Sequence, residues 1–253
     1  MSAKSQEKVV LVTGGLGGIG LATGKEFARN GFNVLLSDLS ASASANRVPA
    51  DKNVHYHRCD ARMIDEVVGL FRQCRVRFGR LDVLVTAHGV YAPQRVEATP
   101  EDQFDWIMDT NFKGVYFCIS EALKLMEEGA IITVGSSIGI AAEKDSPVYC
   151  ASKAAVHHLA RCLAQKVGRK IRVNSIAPGP IDTPLLRGSF NNDPVMIEQY
   201  RRMALRGIAS PEEVAKMVFF MASDACQFMN GAVVPFDGGE SIMYSGEPQR
   251  DPA

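Results

Sequence analysis

Short runs of β-branched and apolar residues, each followed by a longer segment of helical period, recur along the whole chain. This alternation constrains the fold more than any other feature, because strand, helix and strand in succession build a parallel sheet covered by helices. The runs fall at Lys8–Val12, Asn33–Ser37, Val54–Arg58, Asp82–Thr86, Ala130–Val134, Ile171–Ile176 and Ala232–Phe236. Several, such as Val83-Leu84-Val85, show no polar alternation, the pattern of a strand buried on both faces. The prediction is an α/β fold with a doubly wound, seven-stranded parallel sheet flanked by helices on both faces.

Helix signals fill the gaps. Thr99-Pro100-Glu101-Asp102 supplies an N-cap, a proline at the first helical position and acids in the first turn, and Ser210-Pro211-Glu212-Glu213 repeats the arrangement. From Tyr149 to Val167, Val156, Leu159, Leu163 and Val167 fall on one face, predicting an amphipathic helix. Residues 1–253 are expected to form a single domain, since no repeat or low-complexity linker divides them; Ser40–Asn46 is Ser/Ala-rich but short enough for a loop. The segment 184–209 mixes Gly, Asn, Pro and charges with isolated apolar residues, as a substrate-covering loop would, and 245–253 forms a polar tail.

Charge and cysteine usage narrow the partners. The chain carries 28 basic and 28 acidic side chains, without the excess of Lys and Arg that nucleic acid or an anionic membrane requires, so a small-molecule partner is expected. No apolar run approaches the roughly 18 residues of a membrane span, and the first residues lack the apolar core of a signal peptide. Cys59, Cys74, Cys118, Cys150, Cys162 and Cys226 have neither C-x-x-C pairing nor zinc-site spacing. They are expected to be buried small hydrophobes in a reducing, cytoplasmic setting, with no metal.

Directly after the first strand stands Thr13-Gly14-Gly15-Leu16-Gly17-Gly18-Ile19-Gly20, followed by helical Leu21–Asn30. Glycine suits such a turn because a pyrophosphate must reach backbone N–H groups at a helix N-terminus, where a Cβ would hold it away. Two registers fit, Gly15-x-Gly17-x-x-Gly20 and Gly14-x-x-x-Gly18-x-Gly20, leaving open which glycines meet phosphate. Asp38, at the end of the second strand, suits the ribose hydroxyls of NAD and repels a 2′-phosphate, and neither Leu16 nor Leu39 offers a base. NAD is therefore the expected cofactor. Asp60, after the third strand, suits either the adenine amino group or the N-cap of a helix over Ala61–Phe78.

Tyr149 and Lys153 lie four residues apart, one turn along the same helix face. A phenol titrates near pH 10, and a fixed ammonium beside it favours the phenolate, which makes the pair a plausible proton-transfer device. The glycine turn, Asp38, Asn111 in Thr110-Asn111-Phe112-Lys113-Gly114, Ser136-Ser137, Tyr149/Lys153 and Asn174-Ser175-Ile176-Ala177-Pro178-Gly179 follow in order. In this set the chain resembles the short-chain dehydrogenase/reductase family in its single-domain form, from about Val9 to Gly239. The resemblance implies a Rossmann-like fold and hydride transfer between a nicotinamide and a carbinol or carbonyl carbon.

By the same resemblance, Tyr149 is the general acid/base, Lys153 binds the nicotinamide ribose and lowers the tyrosine pKa, a serine holds the substrate oxygen, and Asn111 supports a proton-relay water. Ser136 fits the Ser-x-x-Gly pattern with Gly139 and stands thirteen residues before Tyr149; Ser137, at twelve, is the fallback. Cofactor contacts are implied at Gly14, Leu16, Gly17, Gly18, Ile19 and Gly20, then at Asp38, Leu39, Asp60, Ala61, Ala87 and Gly89. Tyr149, Lys153, Pro178, Gly179, Ile181 and Thr183 complete that set. A homotetramer is implied as well, with the helices at Thr99–Glu128 and Tyr149–Val167 packing across a two-fold axis.

One stretch departs from the family pattern: where Asn-Asn-Ala-Gly is usual, this chain has Thr86-Ala87-His88-Gly89. Thr86 is expected to replace a structural hydrogen bond, while His88 is open to three readings, a cofactor contact, a substrate contact or a tolerated bulky residue. His157-His158 point about 100° apart and cannot form a same-face metal pair. Arg161, Lys166, Arg169, Lys170 and Arg172 suit a helix C-terminus. The function expected is an NAD(H)-dependent oxidoreductase acting on a secondary alcohol or ketone, cyclic, terpenoid or aromatic first. A 3-hydroxyacyl thioester or a polyol is the alternative substrate, and a non-catalytic nucleotide-binding scaffold the alternative class. Tyr91 and apolar residues of 184–206 such as Leu185, Leu186, Phe190, Met196 and Tyr200 suggest an apolar pocket.

Overall fold

The computed structural model describes residues 7–40, 48–202 and 204–242. The tail 245–253 and residues 41–46 of the Ser/Ala-rich stretch lie outside them. Seven strands form one sheet: β1 (Val9–Thr13), β2 (Asn33–Asp38), β3 (Val54–Arg58), β4 (Val83–Thr86), β5 (Gly129–Val134), β6 (Ile171–Pro178) and β7 (Val233–Phe236). Their spatial order is β3-β2-β1-β4-β5-β6-β7, and every pairing is parallel.

The period of two in each strand sorts the core into two layers. Val9 and Leu11 of β1 face α2 (Ile64–Phe78), α4 (Gly114–Ala122) and α5 (Pro147–Lys166), meeting Leu70, Ile119 and Val156. Val10 and Val12 face α1 (Gly18–Arg29) and α8 (Pro211–Ala222), meeting Phe27, Val214 and Met221. All five β1 side chains are buried, and the strand is apolar up to its last residue, Thr13.

Helix ends depart from the sequence reading where side chains compete for the backbone. Asp60 is not the N-cap of α2, which begins only at Ile64 after Met63. Its carboxylate instead accepts from the Arg62 backbone (3.0 Å) and guanidinium (2.7 Å), keeping the segment before the helix in a turn. Pro100 is the N-cap of α3 (Glu101–Met108) rather than its first residue, because Thr99 turns back to donate to the Arg95 carbonyl. Ser210 caps α8 as expected, with Glu213 closing a reciprocal box. The segment after β6 holds two short helices, α6 (Pro184–Ser189) and α7 (Pro194–Arg201).

Arg172 is a larger correction. It lies in β6, and its guanidinium spans the carbonyls of Met221, Ala222 and Ser223 at the end of α8 (2.9, 3.1 and 3.2 Å), so the helix it complements is α8 rather than α5. Cysteine burial is likewise uneven: Cys59, Cys74, Cys118 and Cys226 are buried, whereas Cys162 is exposed.

Candidate active site

The strands end in a row, and the sheet order reverses between β1 and β4, the place where an open α/β sheet leaves a crevice. A cavity of about 250 Å³ occupies it, lined by Thr13, Gly14, Gly17, Asp38, Asp60 and His88 among others. It shares Ala87 and Gly89 with a second cavity of about 550 Å³, mostly apolar, which reaches Ser136, Tyr149 and the α6–α7 segment.

The glycine turn is dictated by the chain itself at two positions. Gly14 has φ +65°, and a Cβ there would stand 2.6 Å from the His88 backbone; at Gly20 it would stand 2.1 Å from the Gly14 carbonyl oxygen. Gly17 is then the N-cap of α1, so the N–H groups of Gly18, Ile19 and Gly20 open the helix without intrahelical partners. This geometry fits a pyrophosphate. Asp38 accepts from the Leu16 and Ser40 N–H groups (3.1 and 3.2 Å), which hold the carboxylate at the cavity wall. Arg62, the one lysine or arginine among the residues lining that cavity, has its guanidinium engaged by Asp60. The residues present therefore suit a nicotinamide dinucleotide.

Four side chains converge where the two cavities meet. Tyr149 and Lys153 are buried on one face of α5, with the ammonium 5.7 Å from the phenol ring centroid. Lys153 Nζ donates to the Val134 carbonyl at the end of β5 (3.2 Å). Burial pushes the Tyr149 phenol up to about 12 and the Lys153 ammonium down to about 8; a hydrogen bond with Ser136 opposes the rise at the phenol. Desolvation thus outweighs the favourable effect of the ammonium expected from the Tyr-x-x-x-Lys spacing.

The adjacent serines point to different partners. Ser136 meets the phenol, while Ser137 donates to Glu240 Oε2 (2.5 Å). His157, one further turn beyond Lys153 on α5, is buried, a placement that its sequence neighbourhood does not signal. Its Nε2 donates to the Ser136 carbonyl (2.9 Å), since a carbonyl can only accept, and its Nδ1 then takes the Ser175 hydroxyl (2.8 Å). It holds the end of β5 in place.

Asn111 sits in a five-residue π-turn, Asp109–Lys113, between α3 and α4. Its side chain is buried and pairs both ways with the Val90 backbone (2.8 and 3.0 Å), and it also donates to Ser152 Oγ (3.1 Å). It fixes the loop that carries Gly89, whose added Cβ would stand 3.1 Å from Lys153 Nζ. Thr86 does not supply the structural hydrogen bond expected of it: its hydroxyl is buried without a partner. His88 lines the smaller cavity, with Nδ1 2.6 Å from Thr13 Oγ1, and burial pulls it down to about 4 and keeps it neutral. Ile19, Pro178, Gly179, Ile181 and Thr183 line the larger cavity. Among the described residues no His, Cys, Asp and Glu group could hold a metal.

Comparison with known proteins agrees with this architecture. Residues 14–241 match the family model described as enoyl-(acyl carrier protein) reductase. The cis-4-hydroxycyclohexanecarboxylate dehydrogenase of Sinomonas cyclohexanicum is 35% identical over 94% of this chain and 98% of its own. A 3-oxoacyl-[acyl-carrier-protein] reductase of Chlamydia muridarum is 31% identical over 94% and 99%. The crystal structure of levodione reductase superposes with a TM-score of 0.87 at 30% identity, over 94% of this chain and 98% of that one. With residues 14–241 matching the family model and such relatives covered over nearly their whole length, the chain belongs to the short-chain dehydrogenase/reductase family of nicotinamide-dependent oxidoreductases.

Proposed function

We propose that the protein is an NAD(H)-dependent oxidoreductase that interconverts an uncharged secondary alcohol, cyclic, terpenoid or aromatic, and its ketone. The observation that carries this reading is the meeting of buried Ser136, Tyr149 and Lys153 in a mostly apolar cavity that adjoins the crevice beside the glycine turn. A bound nicotinamide supplies the hydride acceptor for oxidation and the hydride donor for reduction.

The chain's own residues do the rest. Ser136 holds the substrate oxygen, and Tyr149 Oη takes the hydroxyl proton in oxidation and returns it in reduction. Lys153 holds the nicotinamide ribose and, when charged, favours the phenolate. Asn111 acts as a positioning residue through Val90, keeping Gly89 against Lys153. Asp38 accepts ribose hydroxyls and disfavours a 2′-phosphate, which selects NAD.

Charge in the larger cavity favours an uncharged substrate. Lys153 is the one basic side chain among its lining residues, against Glu143, Asp145 and Glu240. A carboxylate like that named for the Sinomonas enzyme would find no free cation there. The second reading, a 3-hydroxyacyl thioester, is favoured by similarity to the Chlamydia reductase. The acidic lining weighs against its phosphate-bearing carrier.

The test is initial rates over a panel of secondary alcohols with NAD and with NADP. Tyr149→Phe is expected to lower turnover at least about a hundredfold while cofactor binding persists. Asp38→Ala is expected to narrow the preference for NAD. Undiminished turnover in the first variant overturns the mechanism, and an unchanged preference in the second overturns the role of Asp38. We extend the proposal to a cytoplasmic homotetramer, supported by the six free cysteines and by half-exposed Phe104 and Tyr116 on α3 and α4. No described helix is long and apolar enough to cross a membrane.

A further inference from the structure

We infer that Glu240 is a specificity residue, its Oε1 accepting a hydrogen bond from a second hydroxyl on the substrate, so that the preferred substrate is a diol or hydroxyketone rather than a simple alcohol. This rests on the reading of the larger cavity as the substrate site. Glu240 lines that cavity beside Ser137, and Oε1 is buried without a partner, alone among carboxylate oxygens of the described residues. Oε2 is already satisfied by Ser137 (2.5 Å). A buried acceptor left empty costs free energy, and a substrate hydroxyl would remove that cost.

The carboxylate is held in place for this task. It follows the turn Asp237-Gly238-Gly239, where Asp237 accepts from the Gly239 and Ser241 N–H groups (3.0 and 2.9 Å). Of the other two acids lining the cavity, Glu143 is occupied, accepting from the Asp145 N–H and from the Ser146 hydroxyl, and Asp145 is exposed to water. Burial raises the Glu240 carboxyl above its ordinary range, and Glu240 lines the same cavity as Tyr149 and Tyr200. An acceptor lining the same cavity as Tyr149 and Ser136 gives a substrate two polar anchors and a fixed orientation.

The experiment compares cyclohexanol with cis- and trans-cyclohexane-1,2-diol. Initial rates with NAD are measured for the protein and for Glu240→Gln. Each alcohol is also titrated calorimetrically into NAD-loaded Tyr149→Phe, with and without Glu240→Gln, where no turnover intervenes. One diol isomer is expected to exceed cyclohexanol by about ten- to a hundredfold in kcat/KM and in affinity, and Glu240→Gln to bring that ratio within about threefold of one. A protein that treats diol and cyclohexanol alike, or a variant that weakens both equally and keeps their ratio, overturns the assignment. If no alcohol is oxidised yet the diol still binds more tightly through Glu240, the activity proposed above fails and the hydroxyl site stands.

Discussion

Lys153 occupies an electrostatically unfavourable position that the chain retains. Its ammonium is buried against β5, with the Val134 carbonyl as partner, and burial lowers it to about 8 from an ordinary 10.5. The unfolded chain therefore binds the proton more tightly, and the cost to the folded state is full below about 8 and relieved as pH rises to 10.5. Tyr149 works in the opposite direction from its ordinary value of 10 upward, since burial raises its phenol to about 12. Lys153→Met is expected to raise the melting temperature at pH 7 by roughly 5 °C while abolishing turnover, and the gain should shrink between pH 8 and 10. Calorimetric scans across that range check it; equal melting at pH 7 and 10 would remove the buried-charge account. That Tyr149 and Lys153 lie together was legible because helical spacing places them one turn apart, whereas the roles proposed for them came from the family resemblance. The contacts of Glu240 and His157 were not legible: Glu240 meets Ser137 across 103 residues of sequence, and His157 finds Ser136 just past β5 and Ser175 in β6.

At the scale of elements, the strands were the most legible feature. A parallel strand covered on both faces must be apolar at successive positions, so β4 and β5 announce themselves in the sequence. Helix ends were less so, because they depend on which side chain captures a backbone group first, as Asp60 does with the Arg62 N–H and Thr99 with the Arg95 carbonyl. Arg172 joins strand to helix in a way no local pattern predicts. Its guanidinium ties β6 to the last carbonyls of α8, and α8 in turn covers β5 and β6. Arg172→Met is expected to lower stability by about 2 kcal/mol in denaturant unfolding, with Arg172→Lys recovering part. A loss within error of zero would mean that water serves those carbonyls equally well.

For the whole molecule, the doubly wound parallel sheet was legible but its strand order was not, since such sheets take more than one order; the crevice follows from the reversal between β1 and β4. Assembly is a separate matter. Phe104 and Tyr116 are 46% and 47% exposed on the helices expected to meet a neighbouring subunit. Light scattering is expected to report a tetramer, and Phe104→Lys with Tyr116→Lys to reduce its mass; a monomer at all concentrations removes the proposal. The common wall at Ala87 and Gly89 governs how visits to the protein are sequenced. Ile19, Pro178, Gly179, Ile181 and Thr183, expected to contact the cofactor, line the same space as the substrate. The 550 Å³ cavity is therefore shared, and the first occupant becomes part of the second one's container. Turnover should be compulsory-order, with dinucleotide entering first and leaving last. NADH should accordingly inhibit competitively against NAD and noncompetitively against the alcohol, and a random-order pattern would show that the two compartments fill independently.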